Sequence, residues 1–267
     1  MRKIIVTAIM LLLAFAPQAL AQKPIVVGTT SGSDVDILEK AVEVAARDGL
    51  KVQIKEFSDY TQLNFALAAG DIDLNAFQHI PYLTEFLAAN PDAKLVSIGV
   101  TYVSPLGFFS KKIKSLDELK EGDTITIPRD VSNGGRALLL LQRAGKIKLK
   151  EGTGITPSVL DITENPLKLK IREVDAELTP ATMDDPQVVA AAINNNYAQP
   201  LGINPTRDSI FLEDANSPYI NVIVARAQDA DNPEFKRFVK AYQTKEVADF
   251  ILEKFEGATI PAFPYDK

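Results

Sequence analysis

Beyond residue 23 the apolar positions switch repeatedly between a period of two and a period near 3.6, the mark of alternating strands and helices. Residues 24–29 form a short β-branched run, and Leu38, Ala41, Val42 and Ala45 then recur at helical spacing, with Gly49 where a helix would close. Leu50, Val52 and Ile54 alternate with Lys51, Gln53 and Lys55, a strand pattern. A helix is predicted over 63–69 ending at Gly70, a buried strand over 72–75, a helix over 81–89 opened by Pro81, and a strand over 94–102. This order predicts a parallel sheet with helices on both faces. The rhythm restarts after Pro105. Strands are expected at 106–110, 124–127 and 167–174, helices at 136–144 and 187–193, a strand at 221–225, and two helical stretches within 233–255.

No linker rich in Pro, Gly or Ser separates the halves. The expected fold class is therefore α/β with two lobes, each a sheet flanked by helices, joined by two extended crossings near 102–105 and 219–222. Lobe 1 would comprise 22–104 and 222–267, and lobe 2 would comprise 105–221. Such lobes leave a cleft between them, where small ligands preferentially bind.

The first 21 residues read as a cleaved signal peptide. Arg2 and Lys3 precede an apolar stretch over 4–16, too short for a span of about 20 residues, and Ala19-Leu20-Ala21 fits the small-x-small cleavage rule. A periplasmic product is expected. Because the sequence holds no cysteine, no lipid anchor is expected either.

Composition narrows the chemistry. Hydrophobic residues at 46% and charged ones at 24% describe a folded globular chain rather than a disordered one. A net charge of −6, with no basic run longer than the pair Lys111-Lys112, argues against nucleic acid as a partner. Zero cysteines and one histidine exclude disulfide frameworks, thiolate catalysis and multi-histidine metal sites. Neither a dinucleotide fingerprint nor a P-loop occurs. No metal, cofactor or catalytic residue is expected.

Four clusters remain as candidates. The segment 75–82 holds Phe77, His79 and Tyr82 just past a predicted strand, where ligands sit in open α/β sheets. Alternatively, the rings belong to the core and His79 is a satisfied surface residue. The segment 128–136 places Asn133 and Arg136 at a predicted helix start. Ser132 or Asn133 would cap that helix, and its amides with the guanidinium suit an anion. The competing reading pairs an exposed Arg136 with Asp130 or Asp184. Asn194, Asn195 and Asn196 close a predicted helix, which Asn195 or Asn196 would end in a left-handed conformation. Asn221 lies on the second crossing, behind Pro218. Asp71 with Asp73, and Asp184 with Asp185, read as solvated caps or loop charges rather than acid–base pairs.

These clusters, with Gly70-Asp71-Ile72-Asp73, Asn75-Ala76-Phe77-Gln78-His79, the run 110–119, the run 133–142, Ile193-Asn194, Tyr197-Ala198 and Ser217-Pro218-Tyr219-Ile220-Asn221, resemble the methionine-binding lipoprotein family. Members of that family are substrate-binding subunits of methionine ABC importers. The resemblance covers nearly the whole chain beyond the leader. It implies a two-lobed, type II-like periplasmic-binding-protein fold that closes on L-methionine, a close relative or a short peptide. It implies a ligand held by Tyr60, Phe77, His79, Tyr82, Asn133, Arg136, Asn194 and Asn221, and a monomer that partners an ABC transporter permease in the inner membrane. Two departures stand out: the missing cysteine after the leader, and Ile80 where many members have lysine. An enzyme on the same scaffold using His79, or a ligand sensor outside transport, is the alternative.

Overall fold

The structure, a computed structural model, describes residues 23–214 and 217–265. The expected signal peptide lies outside the described residues. The first half runs β1 (Ile25–Thr30), α1 (Ser33–Arg47), β2 (Val52–Phe57), α2 (Thr61–Ala69), β3 (Leu74–His79), α3 (Ile80–Ala89) and β4 (Leu95–Val103). The chain then builds β5 (Gly107–Phe109), β6 (Thr124–Pro128), α4 (Val131–Arg143), the antiparallel pair β7 (Lys148–Leu149) and β8 (Ile162–Glu164), β9 (Lys170–Val174), β10 (Val188–Ile193), short helices α5 (Asn195–Ala198) and α6 (Pro205–Asp208), and β11 (Phe211–Leu212). It returns through β12 (Ile220–Arg226), α7 (Pro233–Tyr242), α8 (Lys245–Phe255) and β13 (Ile260–Pro261).

Two main sheets result, ordered β13-β4-β12-β3-β1-β2 and β11-β5-β10-β6-β9. Each contains a parallel trio, β2-β1-β3 in the first and β9-β6-β10 in the second. Beside each trio lies an antiparallel strand, β12 against β3 and β5 against β10. The expectation of parallel sheets is thus corrected to mixed ones. Parallel neighbours need a helical crossover, whereas β5 follows β4 of the other sheet after only three residues.

Two further expectations change. The helix predicted over 187–193 is strand β10, buried along almost its full length. A continuous apolar run such as Val-Val-Ala-Ala-Ala-Ile suits a strand covered on both faces as well as a helix, so period alone does not separate them. Strand β3 also runs later than expected, through His79, and all six of its residues are buried. Phe77 and His79 therefore stand on a rigid strand end rather than a loop.

Helices cover both faces of the first sheet. Ile37, Leu38 and Ala41 of α1, Phe238 and Tyr242 of α7 and Ile251 of α8 meet Val27, Leu74 and Ile223 on one face. On the other, Leu63 and Leu67 of α2 and Leu83 of α3 pack with Phe77 and Val222. In the second sheet Ala137, Leu138 and Leu141 of α4 lie on Ile125 and Ile127. Burying each large side chain contributes about 1.5–3 kcal/mol, so removing Phe238 or Leu141 would loosen the support of one sheet. Where β1, β3, β6 and β10 end, the turns into α1, α3, α4 and α5 converge.

Candidate functional site

The eight residues expected at the site all line one cavity, where those strand ends meet. On the first sheet's side, Tyr60, Phe77 and Tyr82 form a triangle of rings with centroids 5.7–5.8 Å apart. That spacing is within the favourable range for tilted and edge-to-face pairs. Tyr197, from α5, closes on Tyr60 at 5.1 Å. The amides of Asn75 and Gln78, candidates by position, serve the scaffold: with Asn64 they form a buried ring of hydrogen bonds of 2.6–2.9 Å that ties β3 to α2.

On the second sheet's side, α4 begins at Val131 and its cap is Asp130, not Ser132 or Asn133. The Asp130 carboxylate accepts from the Asn133 backbone N–H at 2.9 Å and from its side-chain amide at 3.0 and 3.1 Å. The protein's own carboxylate thus occupies the position expected for a bound anion. Gly134 and Gly135 let the helix start lie close to its neighbours, because a Cβ at these positions would come within 2.7 Å of the Pro128 carbonyl and 2.8 Å of the Thr156 Cα. Arg136 then falls in the second turn. It is 3% exposed and pairs with neither Asp130 nor Asp184. Its Nε donates to both Glu213 oxygens at 3.0 and 3.2 Å, and Nη2 bonds Glu213 and the Ser104 carbonyl. The Tyr219 ring stacks 4.2 Å from its Cζ. Nη1 makes no hydrogen bond among the described residues.

His79 joins the two sides. Its Nδ1 accepts the Tyr82 backbone N–H at 3.1 Å, capping α3, and its Nε2 meets Asn133 Oδ1 at 3.1 Å. With Nδ1 accepting, Nε2 carries the proton and donates. Burial, reinforced by the Arg136 charge, pushes its pKa down to about 3. A neutral imidazole with its only lone pair used as a helix cap has no free basic nitrogen for general-base work. Asp73 is engaged with the Val26 N–H and Arg226.

The three asparagines after β10 open helix α5 rather than end a helix, and none is left-handed. Asn194 donates to Asn133 Oδ1 at 2.8 Å, Asn195 to Thr259 at 3.0 Å and Asn196 to Thr30 at 3.2 Å, while Asn196 Oδ1 accepts from the Tyr60 hydroxyl at 2.6 Å. Asn194 Oδ1 and Asn195 Oδ1 are buried with no hydrogen-bond partner among the described residues. Asn221 pairs with His79 in the β12–β3 register and faces the same cavity. Sequence reasoning missed Asp34, Asn195 and Glu213. Asp34 follows the end of β1, a place the strand-end rule marks. Glu213 lies 77 residues from Arg136 and carries no local signal.

Residues 25–263 match the family model described as NlpA lipoprotein. The chain belongs to that family. Over 250 residues, 93% of this chain and 92% of the relative, it is 46% identical to the D-methionine-binding lipoprotein MetQ of Yersinia pestis. Among solved structures, a nutrient binding protein from Burkholderia cenocepacia bound to methionine is 48% identical, with a TM-score of 0.86 over 90% of this chain and 100% of that one. An ABC transporter periplasmic substrate-binding protein from Coxiella burnetii is 44% identical, with a TM-score of 0.84 over 89% of this chain and 100% of that one. The two-lobed α/β fold is the fold of these neighbours. Membership also corrects one expectation. Family and relative alike are lipoproteins, proteins carried on a lipid anchor, and the expectation of a chain without one, drawn from the cysteine count, is withdrawn.

Proposed function

We propose that this chain is the periplasmic substrate-binding component of an ABC importer and that it encloses free methionine between its two lobes. The observation that carries the reading is the convergence of Tyr60, Phe77, His79, Tyr82, Asn133, Arg136, Asn194 and Asn221 on one cavity, in a chain 48% identical to a protein solved with methionine bound. Arg136 Nη1 receives the ligand carboxylate, and the amides of Asn194 and Asn221 serve its polar end. The thioether lies on the ring triangle, where each sulfur–aromatic contact contributes about 0.3–1.5 kcal/mol. His79 orients Asn133 and transfers no proton. The lobes, 22–104 with 222–267 and 105–221, hinge at the two crossings. The protein works as a monomer that releases its ligand to an inner-membrane permease when the lobes open.

The test is a melting curve on protein stripped of carried-over ligand by unfolding and refolding. Methionine at about 100 times Kd should stabilise the fold by about 2.7 kcal/mol, with the melting temperature rising further as concentration increases. No shift with either enantiomer would overturn the proposal.

A further inference from the structure

Resting on the amino-acid reading above, we propose that Asp34 is the counter-charge for the ligand's ammonium group, with the side-chain carbonyl of Asn195 accepting beside that of Asn194. These residues would tell an amino acid from the same molecule without its amino group.

Asp34 stands in the first turn of α1, 5% exposed, and lines the same cavity as Arg136, Asn194 and Asn195. Thr30 Oγ1 donates to one of its oxygens at 2.7 Å and the Tyr102 hydroxyl to the other at 2.5 Å. The Ser33 hydroxyl also acts on this carboxylate, and three donors still leave part of its acceptor capacity, about four lone-pair sites, open. Among the described residues no cation acts on it. Tyr102 on β4 touches it directly, and its charge is felt at Tyr60 before α2, Tyr197 on α5 and Tyr242 on α7, all phenols. Asp36 on its own helix pairs with Lys254 of α8. Arg136, the one cation lining the cavity among the described residues, is held by Glu213 and the Ser104 carbonyl.

A carboxylate removed from water without a cation is costly, and so is a buried carbonyl with no donor. Both conditions occur in one cavity, Asp34 on the first sheet's side and the two asparagines on the second's. Asp34, Asn194 Oδ1 and Asn195 Oδ1 are three acceptors, and an ammonium has three N–H donors. A second cation from the protein is not needed if the ligand brings one. Arg136 at the carboxylate end and Asp34 at the ammonium end would then orient a zwitterion along the cavity. Burial pushes the Asp34 pKa up to about 6, so the unliganded protein takes up a proton there just below neutrality. Binding an ammonium favours the ionised form and expels that proton, and methionine affinity should fall as pH drops through about 6.

Calorimetry on stripped protein decides the matter, with L-methionine and 4-(methylthio)butanoate, the same skeleton lacking the amino group, as the two probes. Wild type should prefer methionine, and Asp34→Asn should cut that preference by about 30-fold or more, the cost of unpairing a buried charge. Asn195→Ala should cut it by a smaller factor. From about pH 8 to about pH 5.5, wild-type affinity for methionine should fall by up to about tenfold per unit below the Asp34 pKa, while that for the butanoate stays level. A misfolding variant would weaken both probes together and leave their ratio unchanged, and the wild-type pH profile needs no variant at all. If wild type binds methionine but the ratio survives in D34N and the profile is flat, this assignment is overturned and the methionine reading stands. If wild type binds neither probe, both fall.

Discussion

Tyr60, Phe77 and Tyr82, on the first sheet's side of the cavity, touch mainly one another. Asn133 and Arg136, on the second sheet's side, have almost every polar atom committed to a partner. Rings reward contact area and accept a ligand's apolar end in more than one orientation. Committed amides and a clamped guanidinium leave only a few atoms open, here Arg136 Nη1, Asn194 Oδ1 and Asn195 Oδ1, and so dictate where a ligand's charges go. On the proposed reading the ring wall would supply affinity and the polar wall orientation. Hydrogen bonds from His79 to Asn133, from Tyr60 to Asn196 and from Asn196 to Thr30 tie the two walls together.

Breaking the polar wall should cost most. Arg136→Ala is expected to weaken methionine by about 2–5 kcal/mol in calorimetry, and to lower the melting temperature because the half-buried Glu213 loses its partner. A change in affinity below about 0.5 kcal/mol would mean that another group takes the carboxylate. Phe77→Ala removes one corner of the ring triangle. Methionine should lose about 1.5–3 kcal/mol, whereas glycine, with no side chain to rest there, should bind as before; an equal loss for both would erase the division of labour between the walls. Tyr60→Phe deletes the hydroxyl that Asn196 accepts, and about 1 kcal/mol should disappear for every ligand alike, seen as faster dissociation in stopped-flow.

The smallest effect expected is a cancellation. His79 has its pKa lowered to about 3 from 6.5, so its contribution to stability is present above pH 6.5 and lost as pH falls toward 3. Asp34, raised from 3.8 to about 6, contributes in the opposite sense: fully present below 3.8 and lost as pH rises through 6. Between about pH 6 and pH 4 the two nearly offset each other. Urea unfolding over that window should show D34N losing, relative to wild type, ~1.4 kcal/mol per pH unit, and His79→Gln gaining a similar amount. Parallel curves for all three proteins would show that neither group titrates abnormally.

Phe77, His79 and Tyr82 were legible together because a single strand-to-helix junction holds them, and Arg136 because glycines and a capping side chain announce the start of α4. Their neighbours were not. Glu213 reaches Arg136 across 77 residues, Asn196 reaches Tyr60 across 136, and no local pattern encodes such pairings. Residues 187–193 misled for a related reason: an apolar run buried on both sides looks the same whether it is a strand or a helix. That the family is one of lipoproteins, likewise, comes from the match to it and not from the count of one residue type.

The family resemblance supplied the full set of eight site residues, whereas hydrophobic periodicity, caps and strand-end chemistry predicted an α/β chain in two lobes and marked four candidate segments. Those are local properties, set within a few residues by backbone geometry and side-chain type. Tertiary structure alone decided which strands run antiparallel, which carboxylate clamps Arg136, and which buried acceptors stay open, because each of these depends on groups distant in the chain being desolvated together in one small volume.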